Sequence, residues 1–290
     1  MVSVVAQALS IVKTRDRDGR AAPDSLTRHR SEVSAGPRVC REVRALRFRR
    51  STSLVHVEYE PLTVGVTARW DRTRYELLDR RAQVLAMFDA ENTLASFSTH
   101  HNHLRVETVD GATVTLDLER VDTYAYLAAQ STSFVTKVGE VLDAQSVEVL
   151  VSFQFVIGWE GETNPVEAAQ AGVNRLMPGL ADTYASDCAV LLDGTSDSWN
   201  YQVEFGVISA AEAGDRLSRR VGRRAGAGVQ FSTRAGAEQF PAVSTFIDCS
   251  WFKPDTFIPL SEVDDAVEEA RRGAEVLAYR LHSRLRGSDL

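Results

Sequence analysis

Cysteine, lysine and methionine are all scarce in this chain of 290 residues. The three cysteines (Cys40, Cys188 and Cys249) are scattered, odd in number and without metal-ligand spacing. That excludes a disulfide framework and a cysteine-rich zinc module, and it suits a reducing compartment; the expected location is cytoplasmic. Only Lys13, Lys137 and Lys253 are lysine, so arginine supplies nearly all the positive charge. With abundant Ala, Val, Asp and Gly, this bias reads as coding from a GC-rich bacterial genome. No apolar run approaches the ~18 residues that a membrane helix needs. Signatures of catalysis are missing too: no Gly-x-Ser-x-Gly, no His-Glu-x-x-His, no phosphate loop and no dinucleotide fingerprint.

What is present is a globular composition, 44% hydrophobic and 25% charged, with the charge unevenly placed. Residues 1–53 carry 12 Lys+Arg against 5 Asp+Glu, whereas the rest carries 21 against 35. An acidic body repels nucleic acid in bulk. The basic segment, with AAPDS, SAGPR and RFRRSTS, has little periodicity and reads as a disordered or mis-annotated arm.

From residue 60 the periodicities are clear. PLTVGVTARW alternates with Leu62, Val64, Val66, Ala68 and Trp70 on one face, the mark of a strand. DRTRYELLDRRAQVLAMFDA reads as a helix capped by Asp71, with the stripe Tyr75, Leu78, Val84, Leu85 and Phe88. A hairpin follows over 98–119, then a helix near 123–143. Next comes the best strand in the chain, SVEVLVSFQFVIGW, whose odd positions 147–159 are all apolar. Strand, helix, hairpin, helix, strand is the β-α-β-β-α-β order of a ferredoxin-like unit. The second half repeats the theme with a helix from Pro165, strands DCAVLLDG and WNYQVEFGVI, a helix or turn near 209–224, and the strand AVSTFIDCSW. A long final helix is opened by Ser261 and Asp264 in an approximate capping box. Strands ending in Trp70, Trp159 and Trp251 suggest duplication. The expected fold is therefore α+β: antiparallel sheets with helices on one face, a ferredoxin-like unit over 54–160, and a second α+β unit over 161–290.

Three of the six histidines fall in STHHNHLRVETVDGATVTLDLE, residues 98–119. Matching apolar faces across the turn selects a three-residue loop, Val109-Asp110-Gly111, pairing Val106 with Val114 and Leu104 with Leu116. The opposite face then sets His103 against Asp117 and His101 against Glu119. Two imidazoles and two carboxylates are a donor set for zinc, iron or manganese, a divalent transition metal. His101-x-His103-x-x-x-Glu107 resembles the first metal motif of cupins over seven residues, but the flanking glycines are misplaced and the helices do not fit an all-β barrel. A second cluster, Arg216, Arg219, Arg220, Arg223 and Arg224 beside a glycine-rich turn, is the candidate anion or nucleic-acid contact.

These features order three function classes. First is a non-catalytic protein that binds a protein partner or itself. Second is a metal-dependent enzyme built on His101, His103, Asp117 and Glu119. Third is a nucleic-acid or anion binder using the arginine segment.

Overall fold

The computed structural model describes residues 59–91, 93–126, 131–178, 188–216 and 240–287. Residues 1–53 and Arg219, Arg220, Arg223 and Arg224 lie outside them. The elements are β1 (Thr63–Trp70), α1 (Glu76–Ala90), β2 (Leu94–His100), β3 (His103–Thr108), β4 (Thr113–Asp117) and β5 (Arg120–Tyr126). After these come α2 (Ser131–Val141), β6 (Ser146–Gly158), α3 (Pro165–Leu176), β7 (Cys188–Ser196) and β8 (Trp199–Ser209). Residues 210–216 are helical (α4). β9 (Val243–Pro259), a 3₁₀ turn Leu260–Glu262, and α5 (Val263–Arg286) complete the order.

All nine strands of the described residues join one antiparallel sheet in the order β2-β3-β4-β5-β1-β6-β9-β8-β7. The architecture is α+β, as expected, with a long C-terminal helix. β6 sits at the join: Val66 and Trp251 flank Val151 from either side. Its odd residues Val147, Val149, Val151, Phe153 and Phe155 are buried beneath the helices. α1, α2, α5 and α3 lie side by side on that face. Among the described helices α4 alone covers the other face, where Ala213 packs on Ile208 and Phe246. None of the described helices is long and apolar enough to cross a membrane.

Several local expectations change. Asp71 does not cap α1, which begins at Glu76; its carboxylate instead holds the buried guanidinium of Arg74. The core stripe of α1 is Leu77, Val84 and Phe88, while Tyr75 and Leu78 are exposed. The helix placed at 123–143 is two elements, because residues 120–126 form β5 and, among the described residues, 131–141 are helical. Trp251 lies inside β9 rather than at its end. The ladder pairs Leu150 with Phe252 and then Glu148 with Phe257, so Lys253–Thr256 bulge outward. Pro254, which has no N–H to give, sits in that bulge. Ser261 makes no cap either: α5 starts from the 3₁₀ turn without a side-chain cap bond.

α5 lies close to the sheet because its buried stripe contains Ala266, Ala270, Ala274 and Ala278. Opposite Gly273 the buried Trp251 indole stacks on Tyr201, ring centroids 4.9 Å apart. A Cβ at Gly273 would meet Trp251 Cη2 at 2.7 Å. Replacing a helical glycine by alanine ordinarily gains ~1 kcal/mol. Here a rigid, packed indole stands in the way, and overpacking costs ~1–3 kcal/mol. Gly273→Ala is therefore expected to lower stability in urea unfolding.

Near the end of α5 the buried His282 meets β9. Trp159 Nε1–H donates to Thr245 Oγ1 at 2.8 Å, and His282 Nδ1 lies 2.9 Å from the same oxygen. The indole nitrogen is donor only, so the hydroxyl's own proton is free to go to Nδ1 of a neutral imidazole. Tyr59 closes the site edge-on to the His282 ring. Burial, aided by the Arg286 charge, lowers the His282 pKa from 6.5 to about 4. Between those values the unfolded chain binds a proton that the folded chain refuses. Stability should therefore fall as pH drops through this window, by on the order of 3 kcal/mol, and level off below it. Urea midpoints across the window should show the slope, and His282→Gln should flatten it.

Candidate functional site at the β2 edge

The histidine hairpin folds in the register derived from its apolar faces. His103, Leu104, Arg105 and Val106 oppose Asp117, Leu116, Thr115 and Val114. The loop is the expected three residues, with Gly111 at φ +84°. Thr108 N–H closes it on the Ala112 carbonyl at 2.9 Å. A positive φ there is free for glycine and strained for a side chain.

The metal constellation does not follow the hairpin. His103 is half-buried and faces Asp117, but on its other side stands His100, not His101, with ring centroids 6.3 Å apart. His101 is in the two-residue turn His101-Asn102, off the ladder, and its carbonyl accepts from the Arg81 guanidinium. Glu119 is exposed beyond the end of β4. Asp117 Oδ1 accepts the backbone N–H of Glu119 at 2.8 Å and of Arg120 at 2.9 Å, and Oδ2 lies 3.4 Å from Arg120 Nε. That carboxylate fastens the β4–β5 turn. Among the described residues, no three His, Cys, Asp or Glu side chains are grouped to hold a metal ion.

Neighbouring charges on the same open face are paired. Ser96 Oγ donates to Glu107 at 2.8 Å, and Arg105 reaches Glu107 at 3.2 Å. Thr67 Oγ1 donates to Asp122 at 2.5 Å, with Arg120 Nε 3.2 Å away on the other carboxylate oxygen. At the far end of the sheet Arg216 bonds Glu204 at 2.9 Å and stacks over Phe246 at 3.9 Å. The one described member of the arginine cluster is thus engaged with the sheet.

The feature that sequence reasoning missed is β2 itself. LASFSTH contains no Asp, Glu, Lys or Arg, and Ala95 to His100 are all exposed. Among the described residues it lies at the sheet's edge, paired on one side only. Its pairing to β3 skips Ala95, a bulge, and is regular from Ser96 to His100. The His100–His103 pair closes a two-residue turn, so it is the hydrogen-bonded kind. The ladder then turns Ser98 and Ser96 inward, and the N–H and C=O of Thr99 and Phe97 outward. Phe97 opposes Val106 on the helix-bearing face, yet its side chain is 55% exposed. The Arg81–His101 contact fixes which flank of α1 overlooks this edge. Leu78 and Leu85, three residues before and four after Arg81, share that flank; Leu78 is exposed and Leu85 half-buried. The edge therefore offers unpaired backbone groups beside an apolar border. The other edge, β7, carries an exposed charge, Asp193. The available signal for β2 was the alternation of Ser96 and Ser98 with Phe97 and Thr99 before the His-Asn turn.

Comparisons with family models, curated proteins and solved structures find no match to this chain.

Partial burial is the main cause that lowers the His103 pKa, aided by His100 and Arg105 and opposed by Asp117 and Asp122. In an NMR titration His103 should thus protonate below an ordinary histidine. Asp117→Asn should lower it further, because the largest opposing charge is lost while an oxygen remains to accept the turn N–H groups.

Proposed function

We propose that this chain is a non-catalytic interaction protein that takes an extended polypeptide segment as an added strand on β2. Strand addition needs unpaired backbone donors and acceptors for affinity and flanking side-chain contacts for selectivity. The observation that carries the reading is the exposed run Ala95–His100, without Asp, Glu, Lys or Arg, at the edge of the sheet. Natural edges are usually guarded by charge, proline or a bulge, and here only the bulge at Ala95 serves. The metal-enzyme alternative has less support, because of its four residues only His103 and Asp117 are cross-strand neighbours. For the nucleic-acid or anion alternative, Arg216, the one described member of its arginine cluster, is already paired with Glu204. A cytoplasmic setting, inferred from the cysteine usage, accords with a protein-binding role.

Within this reading, residues 54–160 form a ferredoxin-like unit. Its strand order β6-β1-β5-β4, with α1 and α2 as crossovers, is supported by the sheet order. The hairpin β2–β3 is then an insertion after α1 that carries the docking edge outward. In residues 161–290, β9 lies between β6 and β8. This second α+β unit extends the same sheet with its own strand order.

Selection from a displayed peptide library tests the proposal. Extended, β-branched or aromatic peptides should be enriched. Thr99→Pro removes an outward N–H without touching the β2–β3 ladder, and should weaken their binding at least tenfold, the discrimination that ~1.4 kcal/mol supplies. Phe97→Lys should act likewise. Undiminished binding by both folded variants would contradict the reading.

A further inference from the structure

We infer that the strand added to β2 is β2 of a second copy of this chain, in an antiparallel pair centred on Phe97. The inference rests on the strand-addition reading and names its partner.

Register is the first support. Because Phe97 turns its N–H and C=O outward, a twofold axis through this position lets each Phe97 bond the other in both directions. Ser96 then faces Ser98 of the mate on the open side, and the two Phe97 rings are neighbours on the helix side. A twofold sets a strand against itself, so any net charge on it would repel; β2 has no formally charged residue to do so.

Spacing is the second. α1 lies near both β2 and β3 but leaves the helix-side Phe97 and Thr99 exposed. Strands lie ~4.8 Å apart, so such a helix is about one strand spacing inside an axis just beyond β2. Its mate is then ~10 Å away, at the upper end of the separation at which helices pack. A specific interface needs about 1,000 Å² in all, more than one strand pair supplies, and the helix pair adds to it.

Charge is the third. Arg81 contacts His101 beyond one end of β2, and the Phe88 carbonyl accepts Thr93 N–H before the other. Leu85 and Phe97 stand midway between these two contacts along α1 and β2. The same twofold that pairs Phe97 with its mate sets Leu85 against Leu85 and Arg81 against Asp89. Asp89 is exposed, and the partly exposed Arg81 bonds the His101 carbonyl through Nη2. The helix flanks are thus complementary in both apolar and charged positions.

Sedimentation velocity on the full chain tests this. The native protein should sediment at twice its 32.0 kDa mass at micromolar concentration. Phe97→Lys and Thr99→Pro should sediment as monomers with unchanged circular dichroism, and Asp89→Arg should raise the dissociation constant at least tenfold. Leu191→Lys, on the opposite edge, should remain dimeric. A native monomer up to ~100 µM, or a dimer that persists in Phe97→Lys, would overturn the second-copy inference. Such a monomer that still captures displayed peptides at β2 would leave strand addition standing; one that captures none would defeat both.

Discussion

The rest of the molecule depends on the double ladder along β6. This strand pairs with β1 over Thr63–Trp70 on one side and with β9 over most of its length on the other. Without it the chain would be two sheets with raw edges at β1 and β9. With it, the buried valines and phenylalanines of β6 become part of one continuous floor on which α5 rests, with α2 beside it over β1 and β5. Burial of that row supplies the cohesion, since each fully buried side chain of this size contributes ~1.5–3 kcal/mol. The small residues of α5 and the glycine opposite Trp251 are consequences of how closely the helix must approach this floor.

A sheet centred in this way pushes its liabilities to the periphery. β2 lies five strands from β6 and β7 three, and the two edges differ in chemistry. β7 shows an exposed aspartate, whereas β2 exposes serines, a threonine, a phenylalanine and no formal charge. Open-face charges near β2 are largely spent on one another, through Glu107 with Ser96 and Arg105, and Asp122 with Thr67 and Arg120. What remains unspent there is backbone hydrogen bonding and apolar surface. Those two properties together are what a partner strand satisfies, and this is why the edge rather than the histidines carries the functional argument.

Legibility in the sequence followed the strength of local constraint. The β3–β4 register was readable because one glycine at a positive-φ position and two matched apolar pairs admit a single solution. β6 was readable because its alternation is uninterrupted over its whole length. β5 was not, because Val121, Thr123 and Ala125 alternate too briefly and run into a helix-compatible Tyr-Leu-Ala-Ala stretch. β2 was hidden because Phe97 stands alone among small residues between Ala95 and Thr99, and losing it placed His101 on a strand when it belongs to a turn. Arg74 reads as surface, yet it is buried by Asp71 and by the Asp143 carbonyl 3.2 Å away. Long-range satisfaction of that kind leaves no trace in periodicity. The end of β9 was misplaced because Lys-Pro-Asp resembles a turn, and in the sheet it is a bulge from which the strand returns.

Residue-resolved amide exchange in β2, followed as protein concentration is raised, tests the central claim most directly. The account predicts that Ser98, bonded inward to β3, exchanges slowly at every concentration. Phe97 and Thr99 should exchange rapidly when dilute and slow markedly as the chain associates. Exchange at Phe97 and Thr99 that is independent of concentration, or Ser98 exchanging as freely as they do, would contradict it.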